Sequence, residues 1–373
     1  MKQFLKKLVS RRNLLSGGAA VFGGTTITAV TNQVQAQQNH SHDEHSAHQN
    51  SGRDNTHIHA GEMTTVGDVD HHANGFDPTD MLTDWDTGTL SIGENGERIR
   101  SFVVDAIDKD IEIAPGITFP SWTFGGRVPG PTLRATEGET LKILFRNYGS
   151  RHHSMHFHGI HSIKMDGVSA SNGLIGPGEE FTYEFTATPF GCHLYHCHAL
   201  PLRHHMHKGM YGTFIVDPDP AKHPEHQAVA QSRLLGTPEN QEWQELVMVM
   251  NGFDTSFDGE NEFYAVNTVA HHFMKHPIEV DKSRPIRVYL VNATEFDPIN
   301  SFHLHANFFD YFDHGTTLTP TLPTVDTIMQ CQAQRGILEM SFKDHDPGRY
   351  MFHAHQSEFA ELGWMAMFDV KDK

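Results

Sequence analysis

The chain carries one order of motifs twice, and this internal repeat restricts its fold more than any other feature of the sequence. In each copy an apolar run ends in asparagine, at Asn147 or Asn292, and a His-x-His pair follows it. Each copy has a second pair, eleven residues after a phenylalanine and five after a glycine. The four pairs are His156/His158, His196/His198, His303/His305 and His353/His355. Spacings that repeat so regularly predict two domains of the same fold.

The apolar runs in both copies are short and rich in β-branched and aromatic residues. Examples are TLKILFRN and GTFIVDP in the first copy, and IRVYLVNA and MAMFDV in the second. Glycine and proline separate the runs, and no helical run is long enough to compete with them. We therefore predict an all-β chain built from two antiparallel sandwiches or barrels.

Composition divides the chain into five predicted segments. We predict an export signal at 1–36, a His-rich disordered segment with its lead-in at 37–94, a first β-domain at 95–218, a proline-rich polar linker at 219–243 and a second β-domain at 244–373. The disorder is expected from Gln37 to about His72, where the sequence shows no apolar periodicity. The histidines of that tail either collect metal weakly or are simply solvated.

The first 36 residues combine a basic start, a short apolar run and a small-residue end at Ala36. This run is too short and too rich in Gly and Thr for a membrane span. The pair Arg11-Arg12 in SRRNLL resembles a twin-arginine export signal, and a plain secretory signal is the alternative. Either signal implies a periplasmic or otherwise extracytoplasmic protein.

The charge of the chain excludes two classes of partner. It has 28 Lys and Arg against 46 Asp and Glu, a formal charge of −18, with no basic block beyond the first dozen residues. We therefore expect neither nucleic acid nor an anionic membrane surface as a partner. Thirty histidines, many of them in pairs, instead indicate metal binding.

Residues two apart on a β-strand point to the same face, so each His-x-His pair places two imidazoles side by side. Imidazole suits copper, zinc, iron and nickel. Cys197 discriminates between them, because one thiolate with two imidazoles and a weak thioether is the ligand set of a blue copper site. By spacing, Cys197 is expected to bind with His153, His205 and Met210. The residues that compete for these positions are His204, Met206 and His207.

Four segments carry a family resemblance: HHSMHFHG, YHCHALPLRHHMHKGM, SFHLHANFF and FHAHQSEF. They resemble the copper-binding segments of multicopper oxidases, and residues 95 to 373 are similar to the two-domain, laccase-like members. The resemblance implies two cupredoxin-like Greek-key β-sandwich domains. It also implies a type 1 copper that accepts electrons from a phenolic, aromatic or metal-ion reductant, and a trinuclear copper cluster that reduces dioxygen to water.

Carried over by position, the resemblance assigns ligands to about four coppers per chain. His156 and His303 match the type 2 ligands. The type 3 pair matches His158, His196, His198, His305, His353 and His355. Asp166 resembles the acidic residue that delivers protons in the family, and its alternative is a turn aspartate before Gly167. In the second domain Ala354 replaces the cysteine and Asn300 replaces His153, so a single type 1 copper is expected.

The family also implies an oligomer. Two-domain relatives place each cluster between the first domain of one chain and the second domain of the next, and such a head-to-tail contact closes as a ring. The resemblance implies a homotrimer with clusters at its subunit interfaces.

Two other functions compete. Copper nitrite reductases share the Cys197 to Met210 region, but they carry an aspartate where this chain has His156 and lack the histidine after the cysteine, here His198. A periplasmic copper-binding or copper-resistance protein would explain the His-rich tail and fifteen methionines, but passive buffering needs no thiolate site beside a histidine cluster. A further hypothesis is that Met155, Met165 and Met206 admit cuprous ions as the reductant.

Two cysteines lie outside this pattern. Cys192 and Cys331 either form a disulfide in an oxidising compartment or remain buried free thiols.

Overall fold

A computed structural model describes residues 67–168, 173–232 and 243–372. The predicted export signal and the tail as far as residue 66 lie outside the described residues, as does most of the second half of the predicted linker. Within the described part, no helix is both long and apolar enough to cross a bilayer.

Ten strands build the first half. They are β1 (Trp85–Asp86), β2 (Thr89–Ile92), β3 (Arg98–Ala114), β4 (Ile117–Phe124), β5 (Thr132–Thr136), β6 (Thr140–Asn147), β7 (His156–Phe157), β8 (Glu180–Thr186), β9 (Gly191–His196) and β10 (Tyr211–Asp217). One sheet has the order β1-β5-β10-β9-β7, and the other has the order β2-β3-β6-β8 with β4 beside β3. The two sheets enclose a core that includes Phe145, Phe157 and Tyr195.

Eleven strands build the second half. They are β11 (Gln244–Phe253), β12 (Phe263–Val266), β13 (Ile278–Asp281), β14 (Ile286–Asn292), β15 (Ile299–Leu304), β16 (Phe309–Asp313), β17 (Leu322–Val325), β18 (Thr327–Cys331), β19 (Arg335–Met340), β20 (Gly348–His353) and β21 (Met365–Lys371). Their sheets have the orders β12-β11-β14-β19-β16-β17 and β13-β21-β20-β15-β18. The prediction of an all-β chain with two sandwiches is confirmed.

The described helices are short and lie in connections. They are α1 (His71–Asn74), α2 (Leu202–His207), α3 (Gln227–Ser232), α4 (His272–Lys275) and α5 (Ser357–Glu361). The predicted disordered segment extends too far, because His71 and His72 belong to helix α1. Asp70 caps this helix by accepting a hydrogen bond from the Ala73 amide. The first sandwich also begins at Trp85, before the predicted boundary at residue 95. β1 has only two residues and pairs in parallel with β5. A strand this short shows no alternation of apolar and polar residues from which it could be predicted.

The two sandwiches pack against each other through one sheet of each. Alternate residues of β11 divide between two cores: Met248 lies inside the second sandwich, while Val247 and Val249 face the first. Leu194 of β9 and Ile215 of β10 meet them from the other side. These strands are therefore buried on both faces, which explains why they read as continuous apolar runs rather than alternating ones.

No disulfide joins the two cysteines outside the ligand pattern. Cys192 is buried between the sandwiches, whereas Cys331 is exposed at the end of β18. Of the two predicted alternatives, the structure therefore supports thiols, but only that of Cys192 is buried.

A buried ionic network crosses the contact between the sandwiches. The Arg134 guanidinium of β5 donates to Asp217 at 2.8 and 3.0 Å and to Glu245 of the second sandwich at 3.1 Å. Arg287 of β14 also donates to Glu245, at 3.1 Å. Burial acts to raise the pKa of Glu245, but the two arginines lower it overall, so this carboxylate stays charged.

We expect Arg134→Ala to destabilise the protein by about 3–5 kcal/mol, because it leaves two buried carboxylates with less compensation. Urea unfolding followed by circular dichroism measures this loss. Arg98→Ala is the control, since Arg98 pairs with Glu139 from a half-exposed position, and its loss should cost at most about 1 kcal/mol. Equal unfolding midpoints for the parent and Arg134→Ala would contradict a stabilising role for the network.

Candidate metal centres

A buried thiol and two imidazoles converge in the first sandwich. His153 lies before β7, Cys197 directly follows β9, and His205 lies in α2. Cys197 Sγ is 3.2 Å from His205 Nδ1 and 3.9 Å from His153 Nδ1, and the two Nδ1 atoms are 3.2 Å apart. These three residues, which we call the thiol site, place their donor atoms close enough to hold one metal ion.

Burial sets the protonation states of the thiol site. It raises the pKa of the Cys197 thiol to about 11, although the amide of Ser154, 3.4 Å from Sγ, acts to lower it. Burial lowers the pKa of His153 and of His205 to about 4. At neutral pH the imidazoles are therefore in the form that binds metal, and the thiol must release its proton on binding.

Met210 is tied to the thiol site through its backbone. Its carbonyl accepts from the Cys197 amide at 3.0 Å, and its amide donates to the His205 carbonyl at 3.2 Å. The side chain is fully buried in the same core as Cys197. The predicted thioether is thus positioned by the same two residues that supply thiol and imidazole.

The residues that compete for these positions lie elsewhere. His204 is exposed, with its ring centroid 5.1 Å from that of Trp122. His207 turns toward the second sandwich, where its Nε2 accepts from the Asp254 amide at 3.2 Å. Met206 is buried in the contact between the sandwiches. Of the three histidines in α2, the structure brings His205 to Cys197.

Four histidines of the first sandwich form a second cluster, the first histidine group: His156, His158, His196 and His198. His156 pairs in register with His196 across β7 and β9, which brings the two His-x-His pairs together. Their ring centroids lie 5.1 to 5.7 Å apart, and the Nε2 atoms of His158 and His196 are separated by 3.1 Å.

The second sandwich repeats this arrangement in the second histidine group: His303, His305, His353 and His355. His303 pairs in register with His353 across β15 and β20. The ring centroids lie 4.9 to 6.0 Å apart, and the Nε2 atoms of His305 and His353 are separated by 2.9 Å. The internal repeat of the sequence is therefore a repeat of side-chain geometry.

Backbone carbonyls orient matching histidines in the two groups. His196 Nδ1 donates to the Cys197 carbonyl at 3.0 Å, and His353 Nδ1 donates to the Ala354 carbonyl at 2.6 Å. His156 and His303 donate in the same way, to the carbonyls of Asp166 at 2.8 Å and Asp326 at 3.1 Å. A carbonyl only accepts, so Nδ1 carries the proton and Nε2 keeps the lone pair that a metal requires.

Two serines accept hydrogen bonds from backbone amides of the histidine groups, and neither was predicted from the sequence. Ser154 Oγ accepts from the His198 amide at 3.1 Å, and Ser301 Oγ accepts from the His355 amide at 2.8 Å. Each serine lies two residues before the first histidine of its repeat, so the repeat itself contained the signal.

The second sandwich contains no counterpart of the thiol site. Asn300, at the position of His153, is buried and donates its side-chain amide to Thr294 Oγ1 at 2.9 Å. Ala354 stands where the first sandwich has Cys197. The second half therefore lacks both a thiolate and one imidazole.

The two histidine groups are separate within one chain. Among the described residues, hydrogen bonds and ring contacts join histidines inside each group, and none joins a member of one group to a member of the other. His305 and His355 are exposed in the isolated chain. The described chain thus contains two separate groups of four imidazoles.

A cavity of about 390 Å³ opens beside the first group, lined by residues that include Asp166 and Arg335. Asp166 Oδ1 lies 3.3 Å from His156 Nδ1 and 3.9 Å from His161 Nε2. Arg335 reaches across from β19, and its Nη1 lies 3.4 Å from His158 Nδ1. The family resemblance indicated Asp166, but the sequence contained no signal for Arg335 or His161.

Comparison with known proteins agrees with this geometry. Two family models, each described as multicopper oxidase, match residues 107–221 and 233–373. A solved structure of a multicopper oxidase is 49% identical, with a TM-score of 0.73, over 81% of this chain and 99% of its own. Two cupredoxin-like sandwiches that carry imidazole clusters and a thiol beside two imidazoles define a copper-dependent oxidoreductase. The chain belongs to the multicopper oxidase family, as the resemblance predicted.

Copper nitrite reductases are more distant relatives. The copper-containing nitrite reductase of Neisseria meningitidis serogroup A is 32% identical over 117 residues, which cover 31% of this chain and 30% of that protein. The chain thus matches less than a third of the length of such curated relatives. The solved nitrite reductase of Nitrosomonas europaea shares the fold, with 23% identity and a TM-score of 0.62 over 74% of this chain and 95% of its own.

The residues present fit the copper that the family implies. The thiol site offers one thiol and two neutral imidazoles, a donor set suited to copper. In each histidine group one pair of Nε2 atoms lies close together, at 3.1 Å in the first group and 2.9 Å in the second. Backbone carbonyls accept the Nδ1 protons of four histidines across the two groups. The chemistry and the orientation of these donors therefore agree with copper binding.

Proposed function

We propose that the protein is a laccase-like multicopper oxidase that couples one-electron oxidation of a phenolic, aromatic or metal-ion reductant to the reduction of dioxygen to water. Four electrons and four protons convert one dioxygen into two waters, so four reductant molecules are consumed per turnover. One observation carries the proposal: Cys197 belongs to the thiol site, while its chain neighbours His196 and His198 belong to the first histidine group.

The proposed ligands follow from the clusters. His153, Cys197, His205 and Met210 would hold the type 1 copper. His156 and His303 would hold the type 2 copper, supported by their matching bonds to the carbonyls of Asp166 and Asp326. The type 3 pair would be held by His158, His196, His198, His305, His353 and His355. When bound, these coppers supply reversible one-electron redox chemistry at the thiolate and a multi-electron donor for dioxygen.

The residues around Cys197 provide a short path for the electron. The peptide bonds of Cys197 join the thiol site directly to His196 and His198, so no gap through solvent separates the two sites. Hydrogen bonds hold this path in place, since Ser154 bonds to Cys197 Sγ through its amide and to the His198 amide through Oγ.

We infer that the reductant docks on the surface formed by Trp122 and His204, next to the buried thiol site. Trp122 covers this site, with its ring centroid 5.5 Å from that of His153 and 4.8 Å from that of His205. His204 is exposed beside the same ring. The hypothesis that Met155, Met165 and Met206 admit cuprous ions is not favoured for two of them, since Met155 is fully buried and Met206 is nearly so. Met165 is half-buried, and its role stays a prediction.

The oligomer proposed is a homotrimer with one trinuclear cluster at each interface. The separation of the two histidine groups supports it, because each chain alone offers two incomplete sets. Exposed apolar side chains accompany both groups: Ile160 and Ile163 near the first, and Phe308 and Met329 near the second. A head-to-tail contact would bury them. Export through a twin-arginine signal into the periplasm is proposed from the sequence of residues 1–36.

Asp166 is proposed to deliver protons to the cluster. We expect Asp166→Asn to lower turnover by about a hundredfold or more, since general acid catalysis typically contributes that much. Because the thiol site is untouched, the blue copper should still be reduced normally and should stay reduced during turnover, which stopped-flow absorbance measures. Asp346→Asn, which removes an exposed surface carboxylate, is the control. Unchanged turnover in Asp166→Asn would favour a turn aspartate.

Nitrite reduction is the second candidate, because the matched relatives include copper nitrite reductases. The presence of His156 and His198 beside His158 and His196 argues against it. A nitrite-reducing site would leave some of the four histidines in each group without a role.

Oxygen uptake with a one-electron reductant tests the proposed reaction. We expect four reductant molecules consumed per dioxygen, no accumulation of hydrogen peroxide and no nitric oxide from nitrite without oxygen. Nitric oxide production with negligible oxygen uptake would overturn the proposal in favour of nitrite reduction.

A further inference from the structure

A third cluster of metal-ligating side chains lies away from the copper centres. His71 of α1, Asp77 and His272 of α4 place one ligand atom each within 4.8 Å of one another. His272 is buried, and the rings of His71 and His272 meet edge to face with their centroids 5.0 Å apart. None of these three residues belongs to the His-x-His pairs, to the thiol site or to the internal repeat.

The imidazoles of this cluster are short of hydrogen-bond partners. Both ring nitrogens of His71 and Nδ1 of His272 are shielded from solvent, and within the described part of the chain none has a partner. Buried polar atoms are almost always satisfied, and an unsatisfied one costs free energy. A neutral imidazole has one lone pair and one N–H, so a cation would satisfy one nitrogen of His71, and His272 would bind it through Nε2, the nitrogen that lies 3.5 Å from Asp77 Oδ1. The unpaired lone pair of His71 therefore points to a bound cation.

The charges of the cluster match a cation. Burial acts to raise the pKa of Asp77, but the Thr79 amide at 2.8 Å and the neighbouring His71 and His272 lower it overall. Burial lowers the pKa of His272 to about 4. The cluster at neutral pH therefore combines an ionised carboxylate with a neutral imidazole.

Other groups also face His272. Thr79 Oγ1 lies 2.8 Å from its Nε2, and the ring of His276 lies 4.8 Å away while its own Nε2 bonds to Asp68 at 2.8 Å. The hydroxyl can serve as a further weak ligand or give way to one. The Asp68 carboxylate adds negative charge at the edge of the cluster.

We propose that His71, Asp77 and His272 bind a divalent transition-metal cation of borderline softness, such as Zn²⁺ or Cu²⁺. The distance of 3.5 Å between His272 Nε2 and Asp77 Oδ1 supports this geometry. Two ligands of a tetrahedral ion with bonds of about 2.0–2.1 Å lie about 3.3–3.5 Å apart. Two histidines and one carboxylate are a ligand set that such ions accept.

The position of the cluster assigns the ion a structural role. It joins the segment before β1 to the second sandwich, beside existing contacts such as the bond from Lys275 Nζ to the Gly67 carbonyl at 2.7 Å. Further along, Leu82 of the same segment is buried in the second core. The ion would fasten this segment to the second sandwich and leave the copper centres untouched.

Metal analysis of the copper-loaded full chain equilibrated with Zn²⁺ tests the proposal. Total bound copper plus zinc is counted for the parent, His71→Ala and Asp77→Asn. His72→Ala is the matched control, because His72 is the exposed neighbour of His71 and leaves the rest of the tail unchanged. We expect both site variants to bind about one ion fewer per chain, with affinity for the extra ion weakened at least about tenfold. His72→Ala should match the parent.

Thermal unfolding gives a second measurement on the same samples. Saturating Zn²⁺ should raise the melting temperature of the parent and of His72→Ala by roughly 5 °C or more, but not that of the two site variants. Asp77→Asn keeps the shape of the side chain, and blue absorption in each variant verifies that it is folded. Equal metal content and equal zinc-dependent shifts in Asp77→Asn and the parent would overturn the proposal and place the binding in the tail.

Discussion

Cys197→Ser should abolish the intense blue colour of the copper-loaded protein and lower oxidation of outer reductants by more than about a hundredfold. Loss of a residue that only supports a metal ligand already costs about 10–100-fold in affinity or activity, and Cys197 would supply the thiolate itself. A serine hydroxyl stays protonated at neutral pH and is a poor ligand for this position. Visible absorbance and steady-state oxidation measure both effects.

The same variant should keep its histidine groups. His196 and His198 are untouched, and their supports, the Cys197 carbonyl and Ser154 Oγ, do not depend on the sulfur atom. Cys192→Ala is the control, since it removes a buried thiol that packs between the sandwiches and is not one of the proposed copper ligands. A Cys197→Ser protein that remained blue and active would refute the assignment of the thiol site.

Two inactive variants should restore activity when they assemble together. His158→Ala damages the first histidine group and His305→Ala the second, so each protein alone is expected to lack dioxygen reduction. In a mixed ring, an intact first group from one chain meets an intact second group from the next. For random assembly of equal amounts, about a quarter of the interfaces combine two intact groups, so about a quarter of parental activity should return.

As a control, the two variants are mixed after each has assembled separately. This mixture should recover almost no oxidase activity. Co-expression with two affinity tags isolates the mixed trimers for the assay of oxygen uptake. One interface in three is intact in each of them, so about a third of parental activity is expected in this fraction. If mixed oligomers stayed inactive, the cluster would have to form within one chain. The separation of the histidine groups in the described structure would then require a large rearrangement of the two sandwiches.

Much of the fold and the main clusters could be predicted because they depend on local spacing. The period of two in a strand places His156 and His158 on one face, and the repeat carries the same geometry to His303 and His305. The choice of His205 over its neighbours could be proposed from its distance to Met210. In each case the information lies within a short window of the sequence.

The rest depends on contacts between distant segments. Arg335 reaches His158 because the sandwiches pack through β9 and β19, and no local pattern specifies that packing. His71 and His272 meet for the same reason, since α1 and α4 are far apart in the chain. β1 was missed because two residues paired with a distant strand have no period of their own.

Copper content per chain, measured with visible and EPR spectra on one metal-loaded sample, decides between the oxidase and the nitrite reductase. We expect about four coppers at the centres described: one blue, one ordinary type 2 and an EPR-silent pair. Using the His71→Ala variant keeps the third cluster from adding to this count. About two coppers per chain, both visible by EPR, would show that the type 3 pair is absent and would contradict the oxidase assignment.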